Sequence, residues 1–314
     1  MKNASLKNRI IILITTLITA LVFIFLGFAK NENKIVKSHK INTLEIKSPS
    51  IPSELYLFGE RIPLESFDIL ERFEREIIVN TFSHAATILS IKRSGRWFPI
   101  IEEILKKNNV PKDFKYLAVV ESNLDNVVSP AGATGFWQFM KETAIKYGLE
   151  VNDQVDERYH IEKSTQAACE YLLEAYNKFG NWTLAAASYN AGMNGIKKWS
   201  GIQRSKNFYN LLLNTETSRF IFRIAAIKTI FENPENYGFI IDKSEKYAPI
   251  KTSEIKIDSS ISNLTDFSIS LGINYKILKY LNPWLRDTQL KNTNNKSYII
   301  KIPEKNNMLI FPEF

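Results

Sequence analysis

The sequence predicts a mainly α fold in three parts: an N-terminal transmembrane helix, a helical domain, and a small α+β module at the C-terminus. Three observations carry this. Residues 10–29 are almost wholly apolar and follow the basic flank Lys2, Lys7 and Arg9. From Leu64 to Glu232, apolar residues recur at intervals of three and four. Beyond Ile255, two short strand-like runs, 255–257 and 298–303, bracket two helical patterns.

Composition sets the bounds. A chain of 314 residues, 45% hydrophobic and 24% charged, has ample material for a core and suggests roughly two domains. A net charge of +8 suits nucleic acid, an anionic membrane or an anionic wall polymer. There is no zinc-finger spacing, no RNA-binding aromatic motif and no dense Lys/Arg block, so nucleic acid is not an expected partner. The single cysteine, Cys169, cannot form an internal disulfide and reads as a small packing residue on an alanine-rich helix. His39, His84 and His160 are too scattered to suggest a metal site, and no cofactor is implied.

At the N-terminus, twenty helical residues would reach about 30 Å, the thickness of a hydrocarbon core. Leu26-Gly-Phe-Ala29 is a poor cleavage site, and the apolar run is longer than a typical signal core. An anchor over residues 10–29 is therefore preferred to a cleaved signal, with the basic flank inside. The division this suggests is 1–30 for flank and anchor, 31–60 for a tether, 61–238 for the helical domain, 239–254 for a connector and 255–314 for the C-terminal module.

The helical domain opens with Phe67, Leu70, Phe73 and Ile77 on one stripe. A second helix is expected over 81–92, with Ala85, Ile88 and Leu89 inward, then a break at Gly95 and Pro99. A third is expected over 98–107. Pro111-Lys-Asp113 reads as a helix start with Asp113 as cap, and this helix ends near Glu121. Residues 127–135 are a glycine turn, after which Thr134 is placed to cap a helix over 135–147. A long helix follows over 163–179. Gly180 breaks it, and Asn181 can cap the next, over 182–189. Alanines 185–187 allow close helix approach. The last helix runs over 217–232 and stops at Asn233-Pro234.

Glu121 is the candidate acid. It follows Leu-Ala-Val-Val, so its helix face is mostly buried, and the next segment is a glycine turn carrying aromatic and amide groups. Desolvation and the negative end of a helix both raise a carboxyl pKa. A glutamic acid kept protonated near neutral pH can donate to a glycosidic oxygen. Ordinary glycosidases need a second carboxylate. Asp125, Asp153, Asp156 and Glu157 are nearby in sequence, and none has a spacing that demands the role.

Five motifs then carry a resemblance: Glu121-Ser122, Ser129-Pro-Ala-Gly-Ala-Thr-Gly-Phe-Trp-Gln-Phe-Met140, Asp156-Glu-Arg158, Tyr189-Asn-Ala-Gly192 and Glu216-Thr217. From about Leu64 to Gly238 the chain resembles the membrane-bound lytic murein transglycosylases of the D type, on a goose-type-lysozyme-like (SLT) fold. The resemblance implies cleavage of the β-1,4 bond between N-acetylmuramic acid and N-acetylglucosamine, with peptidoglycan strands as partner. It implies no attack by water: the muramoyl C6 hydroxyl closes a 1,6-anhydro end, and Glu121 acts first as acid, then as base. By the same resemblance, Ser129, Gln138, Met140, Tyr189 and Asn190 line the substrate. Ser122, Glu216 and Phe220 would support the site, while Gly132, Gly135 and Gly192 shape turns. Phe220 stands where many relatives carry tyrosine, so a ring is kept and a hydroxyl is lost. A hydrolytic muramidase or a non-enzymatic wall-binding protein on the same fold are the alternatives. The implied location is the bacterial envelope, anchored in the inner membrane with the helical domain in the periplasm.

The strand–helix–helix–strand pattern of the C-terminal piece, with Leu281-Asn-Pro-Trp284, resembles a LysM domain, a binder of N-acetylglucosamine chains. The usual Gly-Asp-Thr-Leu start is replaced by Ser260-Ile-Ser262-Asn-Leu264. Two roles stay open: glycan binding, or packing against the helical domain.

Overall fold

The computed structural model describes residues 15–22 and 46–304. The chain divides into two units, 1–47 and 48–314. In the first, residues 15–22 form the helix α1. Most of the expected span over 10–29 lies outside the described residues. Among the described residues no helix is long and apolar enough to cross a membrane. The expected fold class is corrected accordingly, to a mainly helical domain with a small β-containing module. The inner-membrane partner through residues 10–29 and the membrane-anchored location fall with the transmembrane helix.

The second unit begins with an element that sequence reading did not expect. A hairpin joins β1 (Leu55–Leu57) to antiparallel β2 (Glu60–Ile62) through Phe58 and Gly59, at φ 58° and 84°. Leu55, Leu57, Phe58 and Ile62 are all buried. The Phe58 N–H donates to Asp113 Oδ2 at 3.0 Å, and its ring stacks on Phe114 at 4.0 Å. Asp113 therefore receives the hairpin and does not cap the helix that follows. The Glu60 carboxylate accepts the N–H groups of Trp182 and Thr183, at 2.6 and 2.9 Å, where the positive end of a helix favours an anion.

The last long helix of the helical domain is central to its core. α9 (Thr215–Glu232) packs against α2 (Phe67–Phe82), α4 (Lys115–Ser122) and α7 (Trp182–Ala191). Phe73 and Ile77 of α2 are fully buried, as the stripe predicts, but Phe67 is exposed. Asn181 caps α7 through the Leu184 N–H at 2.8 Å, and Ala185 to Ala187 are fully buried where the helices crowd. α6 (Ile161–Phe179) packs on α7 and on α3, and ends at Gly180 with φ 78°.

α3 (His84–Lys107) is one helix where two were expected, and it runs straight through Gly95 and Pro99. The glycine is there for contact: a Cβ on Gly95 would lie 2.8 Å from the Lys246 side chain. The inner face is Thr87, Ser90, Ile91 and Ser94, whereas Ile88 and Leu89 are exposed. The expected helix over 135–147 shortens to α5 (Lys141–Lys146), because Thr134 pairs in β-bridges with Val128 and Phe139 instead of capping. α8 (Met193–Gln203) follows α7 directly across Gly192.

In the C-terminal module, β3 (Thr252–Ile257) pairs antiparallel with β4 (Tyr298–Pro303), with α10 (Leu264–Ser270) and α11 (Tyr275–Leu281) between them. Val155 and Tyr159 of the helical domain belong to the module's own buried cluster, beside Leu264, Leu278 and Trp284. The Asp156 N–H donates to the Trp284 carbonyl at 2.9 Å, and the Arg286 N–H donates to the Gln154 carbonyl at 2.7 Å. Of the two roles left open, the packing one is seen directly. Val155→Ala removes two methyl groups from this shared cluster and should cost about 1–3 kcal/mol. Urea denaturation checks this; a loss below a few tenths would show that the two parts do not share a core.

Candidate active site

Glu121 lies in the last turn of α4, and Asn123 closes the helix in the left-handed region at φ 53°. Tyr116 to Val119 are buried, so the helix presents Glu121 from an apolar body. Burial is the largest influence on its carboxyl and pushes the pKa up to about 8; the charge of Arg223 opposes this and that of Glu216 adds to it. Desolvation penalises the carboxylate more than the acid, so Glu121 carries its proton near neutral pH.

The segment after Glu121 is held from several sides. Ser122 Oγ lies 2.9 Å from the Phe136 carbonyl and 3.0 Å from that of Ala118, joining α4 to the following turn. Within that turn, the Ala133 N–H donates to Ser129 Oγ at 3.0 Å. Gln138 takes φ 49°, and its amide donates to the carbonyls of Val127 and Gly135. Ser129 and Gln138 thus hold the turn's shape. Met140 is exposed at the turn's end, where it precedes α5. Gly132 and Gly135 have φ near 87° and 83°. At Gly135 a Cβ would also sit 2.1 Å from the Arg158 carbonyl, so only glycine fits.

α7 and α9 supply the other side. Tyr189 donates its hydroxyl to the Trp137 carbonyl at 2.8 Å. Burial first, then the Glu121 charge, hold this phenol well above its ordinary pKa. Asn190 Oδ1 accepts from Thr217 Oγ1 at 2.8 Å, and its amide approaches Glu216 Oε1 at 3.4 Å. Glu121, Tyr189, Asn190 and Glu216 are thereby brought into one electrostatic neighbourhood. Phe220 is not part of that surface: it is buried in the core on α9. Gly192, at φ 73°, joins α7 to α8.

Two groups, Glu76 and Arg223, were missed by sequence reading, and Arg158 was noted only as part of the motif Asp156-Glu-Arg158. Arg158 donates to Gly132 and Phe139 carbonyls at 3.1 Å each, and pairs with Asp156 at 2.7 Å. Glu76 is fully buried, with Arg75 Nη1 and Arg219 Nε each 2.6 Å from its Oε1 and Arg223 Nε 3.6 Å from Oε2. Arg223 thus faces two carboxyls, Glu76 and Glu121. A usable signal existed: an acid inside an apolar stripe of α2, and arginines four apart on the otherwise apolar α9. Three of the four carboxylates considered as second catalytic groups are engaged elsewhere, and Asp153 is exposed in the loop. Asp125 pairs with Arg93 at 2.6 Å, Asp156 with Arg158, and Glu157 with Lys163.

Comparison with known proteins bears on this geometry. Residues 98–212, which include Glu121, the glycine turn and Tyr189-Asn190, match the Transglycosylase SLT domain family. Residues 253–306 match the soluble lytic transglycosylase C-terminal LysM-like domain. The chain is similar to the membrane-bound lytic murein transglycosylase D of Escherichia coli K12, 28% identical over 248 residues. That alignment covers 77% of this chain and 53% of the relative, so the chain spans about half the length of the curated relatives it matches. Among solved structures, the 70 kDa soluble lytic transglycosylase of Escherichia coli is similar at 21% identity and a TM-score of 0.38, over 44% of this chain and 24% of that one. The lytic transglycosylase Slt of Pseudomonas aeruginosa gives 22% and 0.37, over 48% and 26%.

Two outcomes follow from the site's geometry. Gly135→Ala should cost more than about 3 kcal/mol, since it combines a left-handed φ with a backbone clash; Gly132→Ala, with open space at its Cβ, should cost about 1 kcal/mol. Thermal denaturation of the two variants tests the contrast, and equal losses would contradict it. The raised pKa of Glu121 has a defined sign in stability. The folded chain keeps a proton that the unfolded chain releases above its ordinary value of 4.5, so this group lowers stability as pH rises from there to about 8. Glu121→Gln should therefore stabilise the fold, by about 1–3 kcal/mol above pH 8 and little near pH 4. Denaturant midpoints at the two pH values check it.

Proposed function

We propose that this chain is a peptidoglycan lytic transglycosylase, a carbon–oxygen lyase that cuts the N-acetylmuramic acid–β-1,4–N-acetylglucosamine bond without water. The observation that carries this reading is the Glu121 carboxyl, whose burial beside apolar groups raises its pKa to about 8. It stands within a matched SLT domain, while Asp125, Asp156 and Glu157 are bound to cations of their own. In the proposed reaction, the Glu121 carboxyl gives its proton to the glycosidic oxygen as the bond from the muramoyl C1 breaks. The substrate's acetamido oxygen stabilises the electron-poor C1. The C6 hydroxyl then bonds to C1 and returns its proton to the Glu121 carboxylate. Atoms balance with no water consumed, and the acid is regenerated.

Ser129, Gln138, Met140, Tyr189 and Asn190 are proposed to line the bound strand, within a catalytic region over 61–238. The tyrosine and asparagine close the side opposite the glycine turn. The module over 255–314 then acts by packing against this region.

One observation favours a second reading. Glu216 is exposed, held near Asn190, and its charge acts on Glu121. It could direct a water molecule, which would make the chain a hydrolytic muramidase. Product masses from purified peptidoglycan separate the two: anhydro ends are lighter than hydrolysed ends by one water. The expected outcome is anhydro ends, released by wild type and still released by Glu216→Gln. Glu121→Gln should lower the rate at least 10³-fold. Reducing ends that disappear in Glu216→Gln would establish the hydrolase instead. The rate with wild type should fall as pH rises through about 8, when Glu121 loses its proton.

A further inference from the structure

A cavity of about 460 Å³ opens between the helical domain, the connector and the C-terminal module, and Glu121 does not line it. This is an ordinary size for a small-ligand site. Its walls include Trp97 and Arg96 from α3, Tyr247 from the connector, and Tyr280 and Trp284 at the end of α11. Tyr247 and Tyr280 are 37% and 50% exposed. Each ring offers a flat apolar face.

The charges on the walls are not balanced. Arg93 pairs with Asp125 at 2.6 Å, and Lys301 pairs with Glu162. Arg96 has no carboxylate partner among the described residues. Its Nε donates to the Ala248 carbonyl at 3.0 Å and its Nη1 donates to the Tyr280 hydroxyl at 2.8 Å. Its guanidinium also stands 5.6 Å from the Tyr247 ring centre. Neutral partners thus hold a half-buried guanidinium in a fixed orientation, with its charge uncompensated, between two exposed rings. A guanidinium so held matches a carboxylate in shape and charge. The cavity also touches the segment that positions the candidate acid. Leu124, Asn126 and Phe136 line it, and the Phe136 carbonyl is the one that lies against Ser122 Oγ.

We propose that this cavity binds the carboxylate-bearing peptide arm of a muramyl glycopeptide, with Arg96 taking the carboxylate and Tyr247 and Tyr280 flanking the adjoining unit. The assignment rests on the peptidoglycan reading above and deepens it. A strand cut at Glu121 carries such arms on alternate sugars, so the cavity would recognise the decoration and leave the bond to the acid.

Titration calorimetry of the full chain with N-acetylmuramyl-L-alanyl-D-isoglutamine, beside neutral N,N′-diacetylchitobiose, tests it. Saturable binding of the muramyl dipeptide, weakened at least tenfold in Arg96→Gln, is expected; chitobiose binding should not depend on Arg96. No saturable binding of the dipeptide, or equal binding in Arg96→Gln, would overturn the proposal. Should Arg96→Gln melt far below wild type, Tyr280→Phe is read in its place. That variant removes only the hydroxyl that fixes Nη1, and a severalfold loss is expected where no change would overturn the idea. Binding without anhydro products would count against the transglycosylase and leave this site standing, whereas anhydro products without binding would do the reverse.

Discussion

The Arg158–Asp156 pair is the interaction on which the rest of the site depends. Both side chains are buried, and the aspartate holds the guanidinium at 2.7 Å. Burying two charges is costly unless their remaining hydrogen-bonding capacity is met. Here it is met by the carbonyls of Gly132, within the glycine turn, and of Phe139, just beyond it. The same backbone closes over Gly135, where a side chain cannot fit. Next to the pair, the Asp156 N–H binds the Trp284 carbonyl of the C-terminal module. One buried ion pair thus ties together the turn beside Glu121, the loop at 152–158 and the module.

The candidate acid is set by a second buried charge on the other side. Glu76 has no exposure, and it gathers Arg219 and Arg223 of α9 and Arg75 of its own helix. This fixes α9 against α2 and sets Arg223 where its charge opposes the desolvation of Glu121. Glu216, one helical stretch earlier on α9, acts in the opposite sense. Because both groups are on one helix, the proton affinity of Glu121 depends on how α9 seats against α4. By the resemblance, a tyrosine hydroxyl would be expected where this chain has Phe220. Here that ring is core, and the charged groups of α9 are what Glu121 senses.

Much of the helical order was legible in sequence, for local reasons. The α6 stripe, the stop at Gly180, the Asn181 cap and the end before Pro234 each follow from backbone chemistry within a few residues. The strand–helix–helix–strand order of the module was legible in the same way. Readings failed where a distant contact overrode a local preference. Gly95 and Pro99 look like breakers, yet α3 continues because Lys246 and Tyr247 pack on the glycine. Asp113 looks like a cap, and instead receives the Phe58 N–H from 55 residues away. The 55–62 hairpin has strands of three residues, too short for alternation to register. The apolar run at 10–29 satisfied a length rule, yet among the described residues no helix is long and apolar enough to cross a membrane.

By itself, the sequence determined which residues could do chemistry: an acid at the end of an apolar helix, a turn that needs glycine, and an aromatic-amide pair two residues past three alanines. These depend on composition and short spacing, which the chain carries locally. Tertiary structure alone decided what those residues do to one another. The burial that raises the Glu121 pKa, the seat of Arg223 between Glu76 and Glu121, and the uncompensated Arg96 all arise between segments far apart in the chain. Electrostatic energy depends on distance and on exclusion of water, and neither is defined until the helices have packed.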